Sequence, residues 1–111
     1  MKNYLKETFG NIHQKGYKYI IDSMEYMVLN NMKTMYIYEM VAKKNNTTPS
    51  RVERAMRHYR DTIIKQQGME KVYTELGYPF KDKMTNMKFL ILIYLKMVAR
   101  GIIILKTEWE E

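Results

Sequence analysis

Four of the five arginines in the chain fall within ten consecutive residues, and their spacing is the strongest chemical signal in the sequence. They are Arg51, Arg54, Arg57 and Arg60. On a helix at 100° per residue, the first three point to one side. A guanidinium group is a planar fork of donors that can grip a phosphate, or O6 and N7 of guanine, in two places. The spacing therefore predicts an arginine-rich helix face suited to nucleic acid.

The same helix has an apolar face opposite the arginines. Its apolar face holds Val52, Ala55, Met56, Tyr59 and Ile63, and its polar face adds Ser50, His58 and Asp61 to the arginines. This pattern is typical of a helix that packs one side on a core. Glu53 lies at the margin of the polar face, where a carboxylate could accept a hydrogen bond from a cytosine amino group. An acid weakens attraction to phosphate, so Glu53 favours sequence reading over binding by charge alone.

The residues before this helix predict a tight turn and a defined helix start. Asn46 tolerates the left-handed backbone conformation. Thr48 is a suitable N-cap, and Pro49 is a suitable first helical residue because no donor is lost there. Ala42 supplies the small side chain that a close helix crossing needs. Residues 38–67 therefore have the spacing of a helix-turn-helix.

Charge is concentrated in the same region. The chain has 111 residues and a net charge of +7, and residues 41–67 contribute +5 through seven basic and two acidic side chains. This favours polyanionic partners. The absence of cysteine excludes disulfide scaffolds and thiolate metal sites, and it suits a reducing cytoplasm. With no metal-ligand spacing, phosphate loop or nucleophile motif, the sequence predicts neither an enzyme nor a cofactor nor a metal.

Helical periodicity runs along almost the whole chain and predicts one all-α domain over residues 1–111. We expect a compact bundle of five to six helices, at residues 3–9, 17–29, 33–44, 49–67, 69–76 and 85–99. Residues 102–105 favour β structure and leave open a short edge strand or a packed tail. The apolar stretch from Phe89 to Leu105 is interrupted by Lys96 and Arg100 and falls short of the ~20 residues of a membrane span, so we expect no membrane contact.

Residues 47–58 closely resemble the signature of a known family. They read Thr-Thr-Pro-Ser-Arg-Val-Glu-Arg-Ala-Met-Arg-His. The signature of the effector domain of the stage-zero sporulation master response regulator family is Thr-Thr-x-Ser-Arg-Val-Glu-Arg-Ala-Ile-Arg-His. Shorter matches follow in the same order at Lys15-Gly16-Tyr17-x-Tyr19, Tyr38, Val41-Ala42-Lys43-Lys44, Leu76-Gly77-Tyr78 and Thr85-Asn86-x-x-Phe89. The resemblance covers about residues 15–99.

This resemblance implies a compact all-helical domain whose helix-turn-helix binds the DNA major groove, typically as tandem or dimeric copies. It implies base contacts from Arg51, Glu53 and Arg54. Phosphate or supporting contacts are expected from a second group, Lys43, Lys44, Thr47, Thr48, Ser50, Arg57 and His58.

Some positions depart from the family pattern. We expect a stand-alone effector, because no receiver domain precedes it and the phosphorylation switch is absent from the sequence. The stretch between Tyr17 and Tyr38 is about one helical turn shorter than usual in the family. Glu39 and Met84 replace prolines, and residues 59–61 replace a small, apolar, acidic triplet. Fold and DNA binding are thus expected to carry over more directly than target sequence or promoter partners.

The sequence favours a cytoplasmic bacterial regulator of transcription, nucleoid-associated when bound, that recognises specific sequences in double-stranded DNA. Two alternatives stay open, a protein-interaction module that modulates another regulator and a non-specific DNA-binding protein. The apolar sixth helix and residues 102–105 provide a surface for a homodimer. Contacts with the transcription machinery or with a related regulator are a further expectation.

Overall fold

The computed structural model describes residues 1–31, 33–78 and 83–104. In these residues the chain forms six α-helices and no strand, which confirms the predicted all-α class. The helices are α1 (Lys2–Phe9), α2 (Lys15–Leu29), α3 (Ile37–Lys44), α4 (Pro49–Gln67), α5 (Met69–Leu76) and α6 (Asn86–Ala99). Helices α3 and α4 form the predicted helix-turn-helix, joined by the four residues 45–48.

Helix α3 begins at Ile37, four residues later than the sequence predicts. Tyr36 has a φ of 64°, in the left-handed region that interrupts a right-handed helix. The Ile37 N–H donates to the Thr34 carbonyl at 3.1 Å, which closes a turn before the helix. The Tyr26 hydroxyl donates to the Met35 carbonyl at 2.6 Å and holds this turn against α2. Apolar spacing alone does not reveal such a reversal.

Helix α4 is the centre of the fold and packs against α2, α3, α5 and α6. Its predicted apolar face is confirmed, since four of the five side chains are buried and Ala55 is half-buried. The fully buried residues of α6 share one face, its flanking apolar residues are half-buried and Leu95 is exposed, so the helix is less enclosed than its composition predicts. The centre of its Phe89 ring lies 5.9 Å from that of Phe9 on α1. None of the helices within the described ranges is long and apolar enough to cross a membrane.

Residues 102 and 103 form a bend after α6, and of residues 102–104 only Ile103 is packed as a buried tail would be, since Ile104 is 82% exposed. The N–H groups of Ile102 and Ile103 both donate to the Met97 carbonyl, at 2.8 and 3.3 Å. The Ile103 side chain is buried against the core. Leu105 and the rest of the predicted tail, up to residue 111, lie outside the described residues.

Helices α2 and α4 approach most closely at Gly16. A Cβ atom there would lie 2.6 Å from Tyr59 Cβ and would also meet the Ala55 carbonyl oxygen. The Tyr59 hydroxyl donates to the Gly10 carbonyl at 2.7 Å, which fixes this tyrosine at the crossing. Ala42, the small residue that the sequence predicts at a helix crossing, is buried. Gly16 is a second such position, and it sets how closely α2 and α4 approach.

We expect Gly16→Ala to lower the free energy of unfolding by about 1–3 kcal/mol, because the added methyl group overpacks the crossing. In an unconstrained helix the same change would stabilise by up to ~1 kcal/mol, so the sign of the effect is informative. Urea denaturation measures it, with Lys15→Ala on the exposed side of the same helix turn as the control. A Gly16→Ala protein as stable as the parent would contradict the close approach.

Candidate nucleic-acid interface

The turn between α3 and α4 has the conformation that its sequence predicts. Asn46 is left-handed with a φ of 54°, and the N–H of the half-buried Thr47 donates back to the end of α3 at 2.9 Å. Thr48 is the N-cap, and its hydroxyl accepts a hydrogen bond from the Arg51 N–H at 3.3 Å. Pro49 is the first residue of the helix. The direction in which α4 leaves the turn is therefore fixed locally.

A buried carboxylate on α2 holds this turn in place. Asp22 accepts hydrogen bonds from Asn45 Nδ2 at 2.8 Å and from Lys18 Nζ at 3.1 Å. Lys44 Nζ lies 3.1 Å from the other oxygen. Lys18 Nζ also donates to Asn45 Oδ1 at 2.7 Å, which closes the network around the turn. Burial acts to raise the pKa of Asp22, but these three donors outweigh it and hold that pKa below its ordinary value.

The two lysines at the end of α3 have different surroundings. Lys44 Nζ lies 3.1 Å from a carboxylate oxygen of Asp22 and of Glu25, and hydrogen bonds to these acids raise its pKa. Lys43 is exposed and has no ion pair with the part of the chain that the structure describes. The sequence alone predicts equivalent phosphate contacts for these two lysines. In the folded chain Lys43 offers an unmatched charge, whereas Lys44 would have to leave its acids to reach a phosphate.

The polar face of α4 is exposed as predicted. Its exposed members are Ser50, Arg51, Arg54, Arg57, His58 and Asp61. The side chains of Arg51 and Arg54 make no hydrogen bond or ion pair within the described ranges. Arg57 Nη1 lies 3.6 Å from Glu53 Oε1. A shallow groove at this end of the helix is lined by Tyr38, Pro49, Ser50, Glu53, Arg54 and Arg57.

The fourth arginine of the cluster does not belong to this face. Arg60 is only 7% exposed, and its Nη1 donates to Asn86 Oδ1 on α6 at 2.9 Å. Its Nη2 lies 3.3 Å from Asp61 Oδ1. The signal was present in the sequence, because Arg60 follows the buried Met56 by one helical turn. Three arginines, and not four, are thus available at the surface.

Glu53 lies at the edge of the arginine face and is half-buried, which agrees with its marginal position on the helical wheel. Its Oε1 accepts a hydrogen bond from Asn86 Nδ2 at 3.3 Å, and its backbone carbonyl accepts from the same nitrogen at 2.9 Å. Burial raises the pKa of the neighbouring Tyr38 hydroxyl; a hydrogen bond with Asn86 acts against this, and the negative charge of Glu53 adds to it. Asn86 matched the family pattern, but residue chemistry alone gave no reason to connect it with Glu53.

The arrangement suits an extended anion. Exposed guanidinium groups, an unmatched lysine and the N-terminal end of a long helix all carry positive or partly positive charge toward one surface. Within residues 1–31, 33–78 and 83–104, no three metal-ligating side chains lie close enough together to hold an ion.

Comparison with known proteins adds an independent finding. Residues 1–97 match the family described as sporulation initiation factor Spo0A C terminal. The chain belongs to this family. Spo0A C-terminal domains are DNA-binding effector domains of a regulator, not a known enzyme family, so DNA binding is the general activity of this chain. The match confirms the resemblance seen in the sequence and extends it to include α1. No solved structure was found to match the chain.

Asp22→Asn should remove the contribution that the ionised Asp22 carboxylate makes to the free energy of unfolding. Because the folded pKa of Asp22 lies below the ordinary 3.8, its contribution is complete above that pH and is lost as the pH falls through the folded pKa. We expect the variant to lose about 1–2 kcal/mol at neutral pH, with this difference shrinking below about pH 4. Urea denaturation across this pH range measures it.

The exposed Glu39 provides a matched control, since Glu39→Gln removes an acid from α3 that has no hydrogen bond or ion pair within the described residues. Its stability should stay within about 0.5 kcal/mol of the parent at every pH, because an exposed acid in the first turn of a helix interacts only weakly with the helix dipole. If the free energies of unfolding of the parent and of Asp22→Asn changed with pH in parallel, the role of Asp22 would be contradicted.

Proposed function

We propose that this Spo0A-family domain is a sequence-specific regulator of transcription that binds double-stranded DNA with α4 in the major groove. The observation that carries the proposal is the first turns of α4, where exposed arginines without ion pairs follow a capped helix start. Such an end fits the groove, in which N-terminal residues of a recognition helix contact base edges. The cytoplasm of a bacterium, where the DNA lies, is the proposed location.

The proposed interface contains two kinds of contact, to base edges and to phosphates. Arg51 and Arg54 are free to make bidentate bonds with guanine, and Glu53 can accept from cytosine. The remaining predicted residues would position the domain on the phosphates. Direct phosphate contacts would come from Lys43, Ser50, Arg57 and His58. Support of the turn would come from Lys44, Thr47 and Thr48. A second copy on an adjacent half-site would agree with the expected homodimer.

A protein-interaction role is the second candidate, and exposed apolar side chains near the start of α3 favour it. Leu29 is 82% exposed and lines a groove with Met40 between α2 and α3. Met35 and Tyr36, in the turn that joins these helices, are also exposed. Helix α6, which the sequence suggested as an interface, uses most of its apolar side chains inside the domain.

The base-reading and phosphate-binding roles predict different responses to substitution. Arg54→Ala should relax the preference at one base pair by about 1–3 kcal/mol, whereas Lys43→Ala should weaken binding to all sequences similarly. Selection of bound duplexes from a random pool, followed by competition binding, measures both. Lys71→Ala on α5 is the control for removal of a surface charge. Equal losses on cognate and random duplex for Arg51→Ala, Glu53→Ala and Arg54→Ala would exclude base reading.

Salt dependence separates the proposal from its alternatives. We expect binding to a selected duplex to remain measurable at a salt concentration that abolishes binding to random duplex, because base contacts do not depend on counterion release. Lys43→Ala should reduce the slope of log K against log salt by about one. Mobility shifts over a salt series measure both quantities. Equal affinity for the two duplexes at moderate salt would indicate a non-specific binder, and weak binding to both would indicate an interaction module.

A further inference from the structure

Asn86 is a buried polar residue at the first position of α6. It is 7% exposed, and the preceding Thr85 caps the helix by accepting the Lys88 N–H at 3.2 Å. A buried amide must satisfy its donors and its acceptor within the protein. The Asn86 amide bonds to Arg60 and Glu53 on α4, and it also lies close enough to the Tyr38 hydroxyl on α3 for a hydrogen bond to lower the pKa of that group. Asn86 therefore links the start of one helix to the flank of the recognition helix.

The orientation of the Asn86 amide is dictated by chemistry. Arg60 can only donate, so the amide must turn its oxygen toward this guanidinium, and the bond is 2.9 Å long. The amide nitrogen then has to face Glu53, which offers only acceptors: its backbone carbonyl at 2.9 Å and its Oε1 at 3.3 Å. The buried Arg60 thereby ensures that a donor is presented to Glu53.

These bonds leave one carboxylate oxygen of Glu53 for a ligand. Oε1 is engaged by Asn86 and lies 3.6 Å from Arg57 Nη1, whereas Oε2 accepts no hydrogen bond from the residues that the structure describes. The Glu53 side chain is 38% exposed, so part of it faces solvent. Without Asn86, the flexible Glu53 would be free to turn fully onto the neighbouring arginines, where its charge would cancel theirs.

We propose that Asn86 is a positioning residue for sequence recognition, which holds Glu53 so that Oε2 faces the DNA base edges. The inference rests on the proposed function, because it requires α4 to read bases. Asn86 does not touch the DNA in this arrangement. It acts through Glu53, and its effect is confined to the base pair that Glu53 reads.

Asn86→Asp tests the inference with little change in shape. The variant keeps an acceptor for Arg60 but replaces the donor facing Glu53 with a second carboxylate oxygen. In selections from a random duplex pool, we expect Glu53→Ala to lower the preference at its base pair about fivefold or more. Asn86→Asp should lower the same preference by a similar factor, and should leave the preferences set by Arg51 and Arg54 unchanged.

Two further proteins separate positioning from loss of structure. Ile93→Val, in the buried side of the same helix, should lower stability without changing any base preference. Asn86→Ser, whose hydroxyl is too short to span the same gap, replaces the aspartate variant if circular dichroism shows that Asn86→Asp is unfolded. An Asn86 variant that keeps the parental preference within twofold would overturn the inference, as would a loss shared equally by all base pairs.

The double variant Glu53→Ala/Asn86→Asp completes the cycle. If Asn86 acts through Glu53, the double variant should match Glu53→Ala within twofold at this base pair. If the fold-losses in base preference of the two single variants multiply in the double variant, the inference is overturned, while base reading by Glu53 stands. If Arg51→Ala and Arg54→Ala shift preferences but Glu53→Ala does not, the inference fails and the proposed function stands. If none of the three shifts a preference, the proposed function itself fails.

Discussion

At Gly16 the backbone of α2 lies directly against the Ala55 carbonyl and the Tyr59 Cβ of α4, with no space for a methyl group. This contact determines where the rest of α2 runs relative to α4. Asp22 follows Gly16 on the same helix by less than two turns, so the crossing also places the carboxylate that holds the turn. A wider crossing would move Asp22 away from Asn45 and would leave a buried charge without its donors, which is costly.

Helix α4 is thus fixed by buried polar groups on two sides. Asp22 acts from α2 on the turn that precedes it, and Asn86 acts from α6 on its flank. Apolar packing alone would allow small rotations of α4 about its axis, because burial has little directional preference. Hydrogen bonds of defined length and angle restrict such rotations. The direction of the arginine face is therefore set by a few polar contacts, while the apolar core supplies most of the stability.

Much of this arrangement could be predicted from the sequence. The helices, the capped start of α4 and the exposed positions of Arg51 and Arg54 follow from local rules of periodicity and capping. The burial of Arg60 is indicated by its position one turn after Met56, but its partner could not be predicted from local rules, because Asn86 lies 26 residues further along the chain. The ion pairs of Lys44 could not be predicted from local rules either, because its partners Asp22 and Glu25 lie on α2. The start of α3 was missed because a left-handed Tyr36 has no signature in apolar spacing.

If Arg51, Glu53 and Arg54 read bases as proposed, their different attachments affect how such a domain can change its target during evolution. The side chains of Arg51 and Arg54 have no polar partner within the described residues, so each position can accept a new residue type in one step. Glu53 shares Asn86 with Arg60, and a substitution there leaves a buried amide without one of its acceptors. Substitutions at Arg51 or Arg54 that change the target should therefore need no accompanying substitution elsewhere. A change at Glu53 is more easily retained when α6 changes with it.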